Sequence, residues 1–349
     1  MSTDGQAPPW PPRDPRSRRC LRLASGTALC LATSFGLALP VPMVAPVLGV
    51  FLLATLNRPM SPRTGLGLAL VVMLTTGTGL LLIPLLRYYP ASGVLLVGLC
   101  LFLAFRYGLR GGNGLVSTFL VVGLTMISAA GTFDFGLAVT VIEALVKGLL
   151  VALVALGIGH WLFPEPVGAG TPSAPAELPE DQAARVALRA ALVVMPAFLL
   201  ALNDPAAYLP VIMKAATLGR QTCTTSARGA GRELLGSTLL GGVLAILFWG
   251  ALSLFVHLWM YFLWMLLFGL LVGRKLYGLS PSRYPPGFWV NTLVTLIILL
   301  GQSVQDSAAG KDVYTAFAVR MGLFVGVTLY AWLMVAWLDQ PRGARQLSG

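Results

Sequence analysis

Acidic side chains are scarce in this sequence. Thirteen Asp and Glu stand against 24 Lys and Arg, and charged residues of both signs make up 11% of the 349 positions. A soluble domain averages about 25%. The shortage excludes a soluble globule. A hydrophobic content of 56% and a mean hydropathy of +0.80 describe a chain that lives in lipid. Cysteine is equally sparse: Cys20, Cys30, Cys100 and Cys223 form no CxxC pair, so no disulfide framework or zinc site is expected. His160 and His257 lack ligand-type spacing. Walker A, nucleophile-elbow and Gly-rich nucleotide motifs are missing, so neither a cofactor nor an enzyme activity is expected. The net charge of +11 raises the question of nucleic acid. The basic residues are dealt out among short loops instead of forming one soluble patch, and no nucleic-acid partner is expected.

What the chain has in abundance is apolar runs. A spanning helix needs about 20 apolar residues. Runs between polar breaks predict about twelve spans, at 19–39, 42–57, 65–86, 91–106, 115–132, 135–163, 185–203, 206–220, 231–255, 257–277, 288–303 and 313–338. Residues 1–18 are polar and Pro-rich and read as a disordered tail. The run after Arg18-Arg19 imitates a signal peptide and, weakly, a twin-arginine leader. An uncleaved first span is preferred, because many spans follow it. With the N-terminus inside, 19 of the 24 Lys and Arg fall on the cytoplasmic side. That is the asymmetry of the positive-inside rule, and it puts both termini in the cytoplasm.

The second half echoes the first. Pro46 matches Pro210, Arg63 matches Arg228, Gly77 matches Gly241, Tyr107-Gly108-Leu109 returns as Tyr277-Gly278-Leu279, and Lys147 matches Arg320. The expected architecture is all-α, two parallel six-helix repeats at 19–163 and 185–338. A flexible linker at 164–184 joins them, and a cytoplasmic tail occupies 339–349. Parallel repeats related by an axis along the membrane normal are a transporter device.

Chemistry is sought among ionisable residues inside spans, which mark functional sites in membrane proteins. Lys147, Lys214 and Arg320 are such residues, and Glu143 lies four positions before Lys147. If Lys147 and Arg320 occupy equivalent repeat positions, they face each other near the bundle axis. Two cations in a low dielectric call for an anion between them. An organic anion is the expected substrate, with Lys147, Arg320 and Lys214 as its ligands. Glu143 has two readings: a proton-coupling carboxyl, or a static partner of Lys147. Lys214 also has two, a ligand near a helix interrupted at Pro210 or a side chain snorkelling to the surface. Arg232, Gly236 and Gly241 open the ninth span in a small-residue pattern suited to close helix packing.

The run Arg232–Gly242 resembles the Arg-x-x-Gly-Thr-x-x-Gly-type motif of the fusaric acid resistance protein-like superfamily, with Gly236-Ser237 where Gly-Thr is usual. Arg22 and Arg189 near the first span of each half, and the basic sixth spans, support the resemblance, which covers both halves. It implies a bacterial inner-membrane exporter of aromatic carboxylic acids, often paired with a periplasmic membrane-fusion subunit of the HlyD type. Plant relatives are anion channels. Many members carry a large cytosolic domain, and this sequence has only a short linker and tail. The expectation is therefore a proton-driven organic-anion exporter in the bilayer, with a homo-oligomer open. An anion channel and a non-transporting scaffold for a fusion protein are the alternatives.

Overall fold

A computed structural model describes residues 14–56, 60–165, 179–223, 229 and 231–338. Most of the tail at 1–18, the centre of the linker at 164–184, the tail at 339–349 and Arg228 lie outside the described residues. Among those described, the protein is all helix, with no strand. Twelve helical segments follow one another: α1 (Pro15–Gly36), α2 (Val44–Thr55), α3 (Pro62–Tyr88), α4 (Pro90–Leu109), α5 (Gly114–Phe133), α6 (Phe135–Leu162), α7 (Glu180–Asn203), α8 (Pro205–Thr222), α9 (Gly231–Leu254), α10 (Leu258–Leu276), α11 (Pro286–Ala308) and α12 (Val313–Leu338). Nine are long and apolar enough to cross a bilayer, so this is a polytopic membrane protein. The other three are α1, which opens with Arg16, Arg18, Arg19 and Arg22, the 12-residue α2, and α8, which carries Lys214 and Arg220.

The helix breaks are written locally. Asp134 and Asp204 each accept a backbone N–H of the helix that follows, from Leu137 and Ala207. Each carboxylate thus satisfies an orphan donor and turns the chain in one residue. Pro62, Pro90, Pro205 and Pro286 stand in the first turn of their helices, where a missing N–H costs nothing. Pro210 lies further in, yet α8 runs through it unbroken. The interruption expected there is absent, because Pro210 is close enough to the helix start for little of the hydrogen-bond ladder to be lost.

Helix neighbours correspond between the halves. α1 packs on α10 as α7 packs on α4. α1 also packs on α2 and α6, and α7 correspondingly on α8 and α12; α3 packs on α5, and α9 on α11. The second helices, α2 and α8, sit innermost, each reaching across to the fifth helix of the other half. Their burial by protein explains why α2 can be short and α8 polar: neither has to present an apolar face to lipid.

One end of the bundle is basic. Glu165, just past α6, accepts hydrogen bonds from Arg19 and from the buried Arg22 on α1. Arg106 and Arg110 at the end of α4 pair with Glu180 at the start of α7, joining the halves, and the buried Arg189 donates to the Thr222 carbonyl at the end of α8. Burial pushes the Glu165 carboxyl up, but the Arg19 hydrogen bond and the Arg22 and Arg19 charges outweigh it and hold it below the usual carboxylate range.

Candidate functional site

Close approach of α9 and α11 begins the site. A Cβ added to Gly241 would lie 2.7 Å from Thr295 Cβ and 2.8 Å from the Thr292 carbonyl oxygen, and one on Gly236 would lie 3.2 Å from the Phe288 ring. Only glycine lets α11 come this near. In the first half the corresponding contact is made by Gly79, where a Cβ would run into the Gly123 carbonyl oxygen. Gly77, the position matched to Gly241 by sequence, faces open space. The register of the match is thus two residues out, because both glycines lie on the same short segment and only packing tells them apart. Gly123 opens a π-helical turn, Gly123–Ile127, inside α5. Such turns occur often at functional sites.

That close approach assembles a polar core around Lys214. The Lys214 side chain is fully buried. Its Nζ donates to Asn291 Oδ1 at 3.0 Å and to Thr295 Oγ1 at 2.7 Å, both on α11. Asn291 Nδ2 in turn donates to Ser237 Oγ at 2.6 Å, on α9. Ser237 belongs to the Arg232–Gly242 run, so that run serves the Lys214 site as well as packing. Arg232 itself is exposed at the start of α9. Lys214 does not snorkel: its ammonium is held inside the bundle by neutral oxygens.

The adjoining face of α8 borders a narrow cavity of about 50 Å³. Phe51 of α2, Met126 of the π-helical turn, Leu145 of α6, and Met213, Thr217 and Arg220 of α8 are among its walls. The lining is almost wholly apolar, and Arg220 is its one charged group. The Arg220 guanidinium sits over the Phe51 ring, 4.9 Å from its centroid, within cation–π range. Its Nη1 is buried and has no hydrogen-bond partner among the described residues. A buried donor without a partner costs free energy comparable to a lost hydrogen bond, and this one stands at the edge of a cavity. Arg220 was missed in the sequence because it stands at the polar end of its span and counts there as a loop cation.

The other sequence candidates lie elsewhere. Arg320 makes a two-pronged ion pair with Asp306 of α11, one prong at 3.0 Å and the other closer, and Asp306 is buried. Arg320 is therefore already neutralised, by a residue 14 positions back and one helix away. A search limited to its own helix cannot find that partner. Lys147 is ion-paired to Glu143, and both are half-exposed on the outer face of α6, away from the cavity. Lys147 and Arg320 consequently do not face each other. Burial matches Gly148 with Phe324, Ala152 with Thr328, Ala155 with Ala331, Gly159 with Val335, and the exposed Trp161 with Trp337. In that register Lys147 corresponds to Leu323 and Arg320 to Ala144. Equal side-chain charge had suggested the other alignment.

Among the described residues no three His, Cys, Asp or Glu side chains gather to hold a metal ion. Residues 19–158, the stretch from α1 into α6, match a family described as a protein of unknown function, DUF2955. No curated protein and no solved structure matches the chain.

Proposed function

We propose that the protein exports organic anions across a bacterial inner membrane, with aromatic carboxylates as the substrate class. The observation that carries this reading is Arg220: a buried guanidinium nitrogen without a partner among the described residues, over an aromatic ring, at one end of an apolar slot between the halves. An aromatic acid offers the complement, a carboxylate for the guanidinium fork and a ring for the slot. The slot holds a few waters at most, against several hundred Å³ for a ligand site. Loading therefore requires α2 and α8 to part, which fits alternating access by two repeats better than an open channel.

Coupling to the proton gradient needs a group that exchanges a proton inside the bundle. We assign it to Lys214, on the same helix as Arg220, in place of Glu143 on the outer face. The basic end of the bundle is cytoplasmic by the positive-inside rule, and an HlyD-type fusion subunit would dock on the opposite end. The resemblance to the fusaric acid resistance superfamily and the placement of Ser237 in the Lys214 network both support the reading.

The test is uptake of a panel of aromatic carboxylates into inverted vesicles, with and without an imposed proton gradient. Gradient-driven accumulation lost in Arg220→Gln supports the proposal. Accumulation unchanged in that variant removes the slot as the site, and flux indifferent to the gradient makes the protein a channel.

A further inference from the structure

Where α1 and α10 meet at the basic end of the bundle they leave an open groove of about 360 Å³. Ser17, Cys20 and Leu21 of α1 form one wall, Leu270 and Arg274 of α10 the other, and Leu279 lies just past α10. Ligand sites run from about 300 to 1,000 Å³. The groove is graded in depth. Ser17 stands in the first turn of α1 and Arg274 in the last turn of α10, so both lie at its mouth. Leu21 and Leu270 stand one turn further in on each helix, about 6 Å deeper at 1.5 Å per residue. Leu263, Leu267 and Leu271, exposed along α10, carry the leucine face on into the bilayer.

Charge at the mouth selects an anion. Arg274 is exposed, and its guanidinium makes no hydrogen bond or ion pair among the described residues. Lys275 beside it donates to the Pro281 carbonyl, and α1 adds Arg16, Arg18, Arg19 and Arg22. The acids at this end of α1 are engaged: Asp14 caps the helix, and Glu165 is held by Arg19 and Arg22. The ammonium of a zwitterionic lipid therefore meets cations and no open carboxylate there. Basic pockets between membrane helices recognise anionic headgroups. The equivalent seam of the other half, between α7 and α4, differs in this respect. In the register that matches Arg22 with Arg189, Ser17 and Leu21 correspond to Ala184 and Leu188, which line a groove of about 450 Å³ with Arg185. Asp181 stands one turn before Arg185, and Glu180 lies between Arg106 and Arg110, so both signs of charge border that groove.

We propose that the groove between α1 and α10 binds an anionic phospholipid of the leaflet at the basic end, with Arg274 and Ser17 on the phosphate and an acyl chain along the leucines of α10. The site is independent of the transported substrate, and no transport assay is needed to test it.

Delipidated protein in detergent would be given dioleoylphosphatidylglycerol or dioleoylphosphatidylcholine, and retained lipid counted by native mass spectrometry. Phosphatidylglycerol should be retained about fivefold more, the weight of one basic residue at an anionic surface. Arg274→Gln should remove most of that preference. Arg274→Lys, still a point charge for phosphate, should keep most of it. Arg185→Gln, in the groove of mixed charge, should leave it unchanged. The Arg274 carbonyl accepts from the Leu279 and Ser280 amides, and a side-chain change leaves that helix end in place. Equal retention of the two lipids by the native protein would overturn the proposal. So would a preference undiminished in Arg274→Gln, or one lost equally in Arg185→Gln. Glycerol 3-phosphate should not displace the bound lipid; displacement would make the groove a site for a free phosphate ester and overturn the proposal as well.

Discussion

The Arg220 guanidinium lies 4.9 Å from the centroid of the Phe51 ring. These residues come from α8 and α2, the second helices of the two halves, so the contact crosses between the repeats. It closes one end of the apolar slot, and a substrate entering there must compete for the same cation. Arg220→Gln removes a charged hydrogen bond worth about 1.5–3 kcal/mol, so apparent affinity for an aromatic carboxylate should fall about tenfold to a hundredfold. Phe51→Leu keeps the apolar wall and loses only the ring, about 0.5–1 kcal/mol, or a two- to fivefold effect. Concentration-dependent uptake in vesicles measures both. Equal effects from the two changes would mean that the pair is structural.

Arg320 and Asp306 give the opposite expectation. They satisfy each other inside the bundle and tie α12 to α11. Arg320→Ala or Asp306→Ala alone strands a buried charge and should cost about 3–5 kcal/mol. Replacing both together, Arg320→Met with Asp306→Leu, removes the charges in pairs and should return stability to near the native value. Thermal unfolding in detergent compares the three. Transport should survive in the double variant, because neither residue borders the slot.

The sequence was informative wherever one segment carried its own signal. The twelve segments follow from apolar run length and from punctuation by Asp134, Asp204 and the N-terminal prolines. The end of α12 at Leu338 and the start of α6 at Phe135 fall where the hydropathy placed them. What stayed hidden was contact between distant segments. Asp306 stands on the helix before that of Arg320, and Asn291 and Thr295 look like ordinary polar residues until α11 meets α8. Arg220 looked like a loop cation because the ring it lies over, Phe51 of α2, belongs to the other half of the chain, which local pattern cannot show.

Glycine packing separates two alignments of the repeats. Gly77 faces open space, so Gly77→Ala should be neutral or should stabilise α3 by about 0.5–1 kcal/mol through helix propensity. Gly79→Ala places a Cβ against the Gly123 carbonyl, and Gly241→Ala places one against Thr295 and the Thr292 carbonyl. Both should lower the melting temperature, and Gly79→Ala the more, since its Cβ overlaps a backbone oxygen far more closely than the 2.8 Å approach at Gly241. The reverse order for Gly77 and Gly79 would restore the pairing read from sequence.

The Glu165 anchor should be sensitive to acid. Its carboxyl sits below its ordinary value near 4.3, with Arg19 and Arg22 as partners. A group depressed on folding contributes stability above its unfolded pKa and loses it as pH falls through the folded one. The stability difference between the native protein and Glu165→Gln should therefore be constant from neutral pH to about 5. It should shrink below about pH 4. A difference that grows in acid would reverse the sign and remove Glu165 as a charged anchor.

Lys214 offers the sharpest division between folding and function. Its ammonium is fully buried, and its partners are two neutral oxygens. Exchanging a buried charge for an apolar side chain of similar length is often neutral or stabilising, because the desolvation penalty goes with the charge. Lys214→Met should therefore fold and insert at least as well as the native chain. Asn291 Nδ2 keeps Ser237 and Thr295 keeps its bond to the Asn291 carbonyl; Asn291 Oδ1 alone loses its donor, a cost of about 1–3 kcal/mol that the removed desolvation penalty offsets. If Lys214 carries the coupling proton, the variant should retain substrate counterflow, which needs only the slot, and lose accumulation driven by an imposed proton gradient. Counterflow and gradient-driven uptake in the same vesicles read the two separately. Loss of both would place Lys214 with Arg220 as a substrate ligand, and loss of neither would leave it a packing residue retained without a transport role.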